Sequence, residues 1–181
     1  MFFFPEFIRL GCDLLFLFFV VDEYTDAADA DEANKIREVV MDAVRNPHKE
    51  CPEGEHVTGA MFREYVQCLS RASQLFLIPR SFCVRASNYV SPGAGCLGHF
   101  IREFDDYTAA VVTEARIRNQ RRHTGFQDYL RLRLYTIGSM ATYALCEYGL
   151  DLPDEVLSHP RMTVFREQTS YLTAITNVGC P

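Results

Sequence analysis

Asp22, Glu23 and Asp26 stand at the end of the stretch FFVVDEYTD, residues 18–26. On a helix, Asp22 and Asp26 are four residues apart and share a face, and Glu23 neighbours Asp26 at a spacing of three. Like charges at these spacings repel unless something positive sits between them. A hard divalent cation removes the conflict, and magnesium takes oxygen ligands, waters and substrate phosphates. The same stripe carries Phe18 and Phe19 one turn earlier and Leu15 before them. It therefore reads as an apolar aromatic floor rising to a carboxylate rim, suited to a ligand with a phosphate head and a hydrocarbon tail. Aromatic faces below such a rim also stabilise positive charge on the tail. The same pattern equally describes a core helix that simply surfaces at Asp22.

The elements that must place these acids are helical. The apolar run Leu14 to Val21 is followed at once by the acids. It is too short to span a bilayer, and Glu6, Arg9 and Asp13 interrupt what precedes it, so it reads as a buried core helix from Pro5 to about Ala28. Helical spacing continues at 31–46, through Ile36, Val39, Val40 and Ala43. A third helix is expected from a Thr58 cap, with Met61, Phe62, Tyr65, Cys68, Leu69 and Ala72 inward. A fourth runs over 99–118 through Phe100, Ile101, Phe104, Thr108, Val111 and Ala115. Thr124 and Gln127 suggest a capping box for a helix over 126–148, closed by Gly149. A short helix after Pro153 and an amphipathic segment at 161–177 complete an all-α chain read as a single domain over 1–181. Residues 70–98 do not fit, because LFLIPRSFCV between two RAS triplets (71–73 and 85–87) has no helical period.

Composition narrows the function. The chain has 181 residues, 48% hydrophobic, and a formal net charge of −6. That size buries a sizeable core, and the acidic balance argues against nucleic-acid binding, which needs phosphate neutralisation. Seven cysteines without a CxxC pair read as small buried thiols in a reducing compartment. Five scattered histidines give no transition-metal spacing. Arg133 offers a planar fork suited to phosphate, although alone it is equally an ion-paired surface arginine. Arg116, Arg118, Arg121 and Arg122 cluster at a helix C-terminus, where cations are favoured anyway, and read as a solvated face with at most a supporting phosphate role. The lack of a targeting segment points to the cytoplasm, with no membrane span.

Taken together, these blocks resemble fungal class I terpene synthases, especially mushroom-type sesquiterpene cyclases. LGCDLLFLFFVVDEYTDAAD (10–29) is similar to the aspartate-rich segment and MDAVRNPHKECPEGEHVTG (41–59) to the segment that follows it. HFIREFDDYTAAVVTEARIRN (99–119) resembles the helix before the basic region. YLRLRLYTIGSMATYALCEYGLDLPDEVLSHP (129–160) resembles the part bearing the diphosphate-sensing arginine, and YLTAITN (171–177) the approach to the second metal motif.

The resemblance implies a class I terpenoid synthase helical bundle and a magnesium-dependent cyclase that ionises farnesyl diphosphate and cyclises the cation. It makes Asp22 the principal magnesium ligand, with Glu23 and Asp26 at the other acidic positions and Arg133 the diphosphate sensor. Thr136 and Ile137 fall at the linker and effector positions behind it. Leu134 stands where relatives carry a second arginine. Leu15, Phe18, Phe19 and Phe62 are candidates for the apolar wall, although ordinary core packing accounts for any one of them.

The second metal motif has the form N-D-x-x-S-x-x-x-E. Asn177 stands at its first position, as a further metal ligand, and VGCP follows. The chain thus reads as the central part of a cyclase, with N- and C-terminal helices missing. The tail at 178–181 and the insert near 75–84 fit unspliced introns. The expectation is weak binding of magnesium diphosphate and no useful turnover. The alternative is a non-catalytic helical protein that binds a prenyl diphosphate or a partner through an open apolar groove. A chain-elongating prenyl synthase is a third reading, but a second DDxxD is not visible. Product, prenyl chain length and oligomeric state are not encoded legibly. The cyclase reading requires the Arg133 guanidinium to lie on the same side of the bundle as Asp22.

Overall fold

A computed structural model of the chain describes residues 5–75, 92–121, 123–147 and 153–178. These form eight helices: α1 (Pro5–Ala27), α2 (Ala30–Arg45), α3 (Val57–Leu75), α4 (Pro92–Asn119), α5 (Phe126–Thr136), α6 (Ser139–Cys146), α7 (Asp154–Leu157) and α8 (Pro160–Val178). No strand occurs among the described residues, as the helical periodicity requires.

The α1–α2 corner is set by Asp29. Its carboxylate accepts from the backbone N–H groups of Asp31 at 3.0 Å and Glu32 at 2.9 Å, which satisfies two donors that a helix start leaves open. Asp31 and Glu32 in the first turn and Arg45 in the last complement the helix dipole.

The core forms where apolar stripes converge. Leu14, Leu17, Phe18 and Val21 of α1 meet Val40, Met41 and Val44 of α2, Phe62, Val66 and Leu69 of α3, Phe100, Phe104 and Tyr107 of α4, and Ala141 and Leu145 of α6. Each large side chain so buried contributes roughly 1.5–3 kcal/mol. Phe104 is the centre of an aromatic cluster, with ring centroids 5.0 Å from Phe62, 5.5 Å from Phe100 and 5.5 Å from Tyr107. Helix α4 touches α1, α2, α3, α5 and α6, so it is the element against which the others take position. Asp105 of α4 adds an ionic tie to α2 by accepting from Arg37 and Arg45.

Helix α8 is fastened to the rest by polar contacts. Ser139 and Ser170 hydroxyl oxygens are 2.6 Å apart, with Ser170 fully buried. Arg166 donates to Glu103 at 2.9 Å and stands 3.9 Å from Glu147. His99 Nδ1 lies 2.8 Å from the same Glu147.

Several local expectations are corrected. The helix expected over 126–148 is two helices, broken at Gly138, which adopts φ +73° and ends the α5 hydrogen-bond ladder. That left-handed geometry is open to glycine and strained for other residues. The expected stop at Gly149 lies outside the described residues. The capping box at Thr124 and Gln127 does not form, because Gly125 takes the cap position in extended geometry and no side chain bonds there. Helix α3 starts at Val57, which places Thr58 inside the helix; its buried hydroxyl lies 2.8 Å from His56 Nδ1. Residues 70–75 and 92–98 of the aperiodic stretch are helical, and 76–91 lie outside the described residues, as does the tail 179–181. Cys12, Cys51, Cys68 and Cys146 are exposed rather than buried, since they fall on the outer sides of their helices and on the 47–56 loop.

Candidate active site

Helix α1 carries its acids along one edge of its buried arc. Leu10, Leu14, Leu17, Phe18, Val21 and Thr25 face the core, and Asp22 lies beside them, half-buried. Beneath it, the Phe18 ring meets Tyr107 edge-on with centroids 4.8 Å apart. The Tyr107 hydroxyl then donates to Asp22 Oδ1 at 3.1 Å.

A cavity of about 110 Å³ opens above this pair, lined by Asp22, Thr25 and Asp26 of α1, Val111, Glu114 and Arg118 of α4, and Arg133 and Thr136 of α5. Three carboxylates here face two guanidiniums. Arg118 Nη2 donates to the carbonyls of Thr25 at 2.7 Å and Ala28 at 3.1 Å, while its Nη1 is 3.5 Å from Asp26 Oδ1. These carbonyls lie at the C-terminal end of α1, where a cation is favoured by the helix dipole. Arg133 Nη1 donates to Thr136 Oγ1 at 3.1 Å, and its buried Nε has no partner among the described residues.

Burial raises the Asp22 pKa above the usual carboxylate value. The Tyr107 hydrogen bond and Arg133 oppose this, while Asp26 and Glu114 add to it by repulsion. Burial also raises the Tyr107 pKa, and Asp22 adds to that shift, so the phenol stays a donor.

The α5–α6 break places the arginine. Ile137 N–H donates to the Arg133 carbonyl at 3.0 Å, and Gly138 then turns the chain. A Cβ on Gly138 would stand 3.1 Å from Phe18 Cε2 and Cζ. The turn therefore rests directly on the aromatic floor below Asp22. A side chain at 138 would require the Phe18 ring, or the turn that carries Arg133, to give by a few tenths of an ångström.

Of the sequence-predicted site residues, the structure brings Asp22, Asp26, Arg133 and Thr136 to one cavity. Phe18 lies under it, and Ile137 is half-buried at the break. Glu23 is exposed and does not line the cavity. Asn177 is exposed near the end of α8 and does not line it either. Leu15 and Phe19 lie on the open side of α1, 50% and 71% exposed, and are not among the residues lining this cavity. Phe62 is fully buried in the core against Phe104.

Sequence reasoning missed Tyr107 and Glu114 and placed Arg118 on a solvated face. A signal existed, because 107, 111, 114 and 118 follow one another at spacings of four, three and four and so form one stripe of α4. Polar groups break into that stripe where an apolar face is expected.

The donor set fits a hard cation shared with an anionic ligand rather than one held by protein alone. Among the described residues, no three His, Cys, Asp or Glu side chains converge tightly enough to hold a metal ion unaided. Carboxylate oxygens from two helices do share the cavity, and Arg133, with its buried and unmatched Nε, lines the same space. Magnesium retains waters and takes phosphate oxygens readily, which suits such a partial set.

Residues 13–177 match the family model described as terpene synthase family 2, C-terminal metal binding. The chain is 52% identical over 172 residues to sesquiterpene synthase Agr9 of Cyclocybe aegerita, covering 95% of this chain and 42% of the relative. It is 41% identical over 152 residues to a delta(6)-protoilludene synthase of Stereum hirsutum, covering 84% and 36%. Among solved structures it resembles the SVS_A2 protein from ancestral sequence reconstruction, with a TM-score of 0.74 at 18% identity. That match covers 95% of this chain and 48% of the other and speaks to the helical fold alone. The chain spans less than half the length of each of these proteins. No helix among the described residues is long and apolar enough to cross a membrane. With a family model over most of its length, on the same helices that carry Asp22 and Arg133, this chain belongs to the terpene synthase family.

Proposed function

We propose that the cavity between α1, α4 and α5 receives the diphosphate of farnesyl diphosphate together with magnesium, and that the protein is a sesquiterpene cyclase. One observation carries the reading: Arg133, 107 and 111 positions beyond Asp26 and Asp22, lines the same small cavity as both acids. Repelling carboxylates beside unsatisfied arginine nitrogen suit a ligand that brings both signs, a cation and a polyanion.

Asp22 and Asp26 would hold the metal, with Glu23 and Asn177 proposed as further ligands. When bound, magnesium neutralises the departing diphosphate. Arg133 binds the diphosphate through two-point donation, with Thr136 and Ile137 behind it transmitting its position. Phe18 forms the dry floor below the acids. Leu15 and Phe19, on the open side of α1, extend that apolar wall for the prenyl tail, and Phe62 supports it from within the core. With Glu23 and Asn177 outside the cavity lining, the 181-residue chain is expected to bind magnesium diphosphate weakly and to turn over little substrate.

The test is a calorimetric titration of the purified chain with farnesyl diphosphate, with and without Mg²⁺, followed by a search for hydrocarbon products. The expected result is weak, Mg²⁺-dependent binding that is lost in Asp22→Asn and Arg133→Ala. Binding indifferent to both substitutions would refute the assignment of the cavity, and robust turnover would refute the weak-binding clause.

The exposure of Leu15, Phe16 and Phe19 on α1 favours a second reading, an apolar groove that binds prenyl diphosphate without catalysis. Binding of farnesyl diphosphate that persists without Mg²⁺, with no hydrocarbon formed, distinguishes it.

A further inference from the structure

We infer that α4 acts as the positioning template for the α1 acids: Tyr107 fixes Asp22 and Arg118 fixes Asp26. This rests on the reading of the cavity as a metal and diphosphate site.

Tyr107 is almost wholly buried. Its ring is held between Phe18 and Phe104, at centroid distances of 4.8 and 5.5 Å, so its hydroxyl has little freedom of place. That hydroxyl donates to Oδ1 of Asp22, which leaves Oδ2 free of this bond. A donor held this way selects one carboxylate orientation and forgoes the ordering cost when a cation arrives.

Arg118, three turns further along the same stripe, works by a different geometry. Two bonds from Nη2 tie it to the carbonyls of Thr25 and Ala28, on either side of Asp26. Its Nη1 is thereby presented to the Asp26 carboxylate at 3.5 Å. The guanidinium braces the end of α1 and aims Asp26 in one contact set. Asp26 is well exposed even with this contact, so its orientation depends on the pull of Arg118. An acid turned into solvent contributes little to a shared cation.

A positioning role is separable from direct contact with the anion. Loss of positioning moves the Mg²⁺ concentration needed for binding, whereas loss of an anion contact weakens pyrophosphate binding even in excess Mg²⁺. The experiment is calorimetry of inorganic pyrophosphate at a series of Mg²⁺ concentrations, on the full 181-residue chain, for wild type, Tyr107→Phe, Arg118→Gln and Arg118→Lys. The Mg²⁺ midpoint should rise about tenfold in Tyr107→Phe and Arg118→Gln, the scale of lost outer hydrogen bonds to metal ligands. Pyrophosphate saturation in excess Mg²⁺ should stay close to wild type in Tyr107→Phe, whose residue does not line the cavity. Arg118→Lys should not restore the midpoint, because one ammonium cannot hold two carbonyls and a carboxylate in that geometry.

Arg118 stands at the rim, so its variants keep the core and decide the matter even if Tyr107→Phe unfolds. Unshifted Mg²⁺ midpoints, or full rescue by lysine, would overturn the inference while leaving the cavity reading intact. Absence of any Mg²⁺-dependent pyrophosphate binding in the wild-type chain would overturn both.

Discussion

Replacing Gly138 by alanine isolates the contact on which the placement of Arg133 depends. Two costs follow from the geometry. The residue has φ +73°, where an L side chain costs roughly 1–2 kcal/mol. The added Cβ would also stand 3.1 Å from two atoms of the Phe18 ring. Phe18 is packed by Phe104 and Tyr107, which resists its displacement, so overpacking adds roughly 1–2 kcal/mol. The sum is about 2–4 kcal/mol. For a chain of this size that is a fall of about 5–12 °C in the thermal midpoint. The assay is urea denaturation and thermal melting followed by far-ultraviolet circular dichroism.

Gly98→Ala is the internal comparison. Gly98 lies within α4 and nothing stands within 4 Å of its would-be Cβ. There alanine should stabilise by roughly 0.5–1 kcal/mol. A double-mutant cycle with Phe18→Leu should recover about 1 kcal/mol of the Gly138→Ala loss, because it removes the ring contact but not the backbone strain. If Gly138→Ala unfolds at the same denaturant concentration as wild type, or the cycle shows no coupling, the reasoning about this turn is wrong.

Further expectations concern charge and docking. Glu55 and Arg63 form a two-point pair at 2.6 and 2.9 Å, and the Arg63 hydrogen bond first, then that of Cys51, lowers the Glu55 pKa to about 2. Both side chains are covered, at 5% and 7% exposure, and with solvent screening the pair contributes roughly 1–2 kcal/mol. A depressed carboxylate pKa stabilises above its unfolded value, so the stability gap between wild type and Glu55→Gln should be constant above about pH 5. It should close as pH falls towards about 2, as seen by denaturation at stepped pH. Asp22→Asn should raise the thermal midpoint at neutral pH while abolishing Mg²⁺-dependent pyrophosphate binding, because the ionised acid is disfavoured by burial and by Asp26 and Glu114. An unchanged or lower midpoint would contradict that balance. Arg166→Met should cost roughly 1–3 kcal/mol by removing the arginine partner of Glu103 and leaving Glu147 with His99, with faster amide exchange in α8 than in α2. Equal exchange in both helices would show that α8 is held by other contacts.

The helices were legible because apolar spacing is local. Leu14, Leu17, Phe18 and Val21 mark the buried arc of α1 from within one stretch of sequence, and the same periodicity puts Asp22 and Asp26 on a shared edge. What the spacing does not contain is which neighbour meets that edge. Tyr107 and Arg118 reach Asp22 and Thr25 across 85 and 93 positions, so no local window holds both partners. Phe18 and Phe19 are adjacent in sequence yet lie about 100° apart on the helix, so one is buried and the other exposed. The α5–α6 break was hidden for another reason. Helical periodicity continues through it, and only the handedness of one glycine, fixed by a ring from α1, interrupts the ladder.

The contact between Phe18 and Gly138 also makes remodelling of the site a one-way affair. A bulkier ring at position 18 would meet main chain that has no side chain left to trim. A smaller residue there would instead open a void beside Tyr107, directly below Asp22. Engineering from this position can only deepen the chamber, and each ångström gained loosens the phenol that steadies the acid above it.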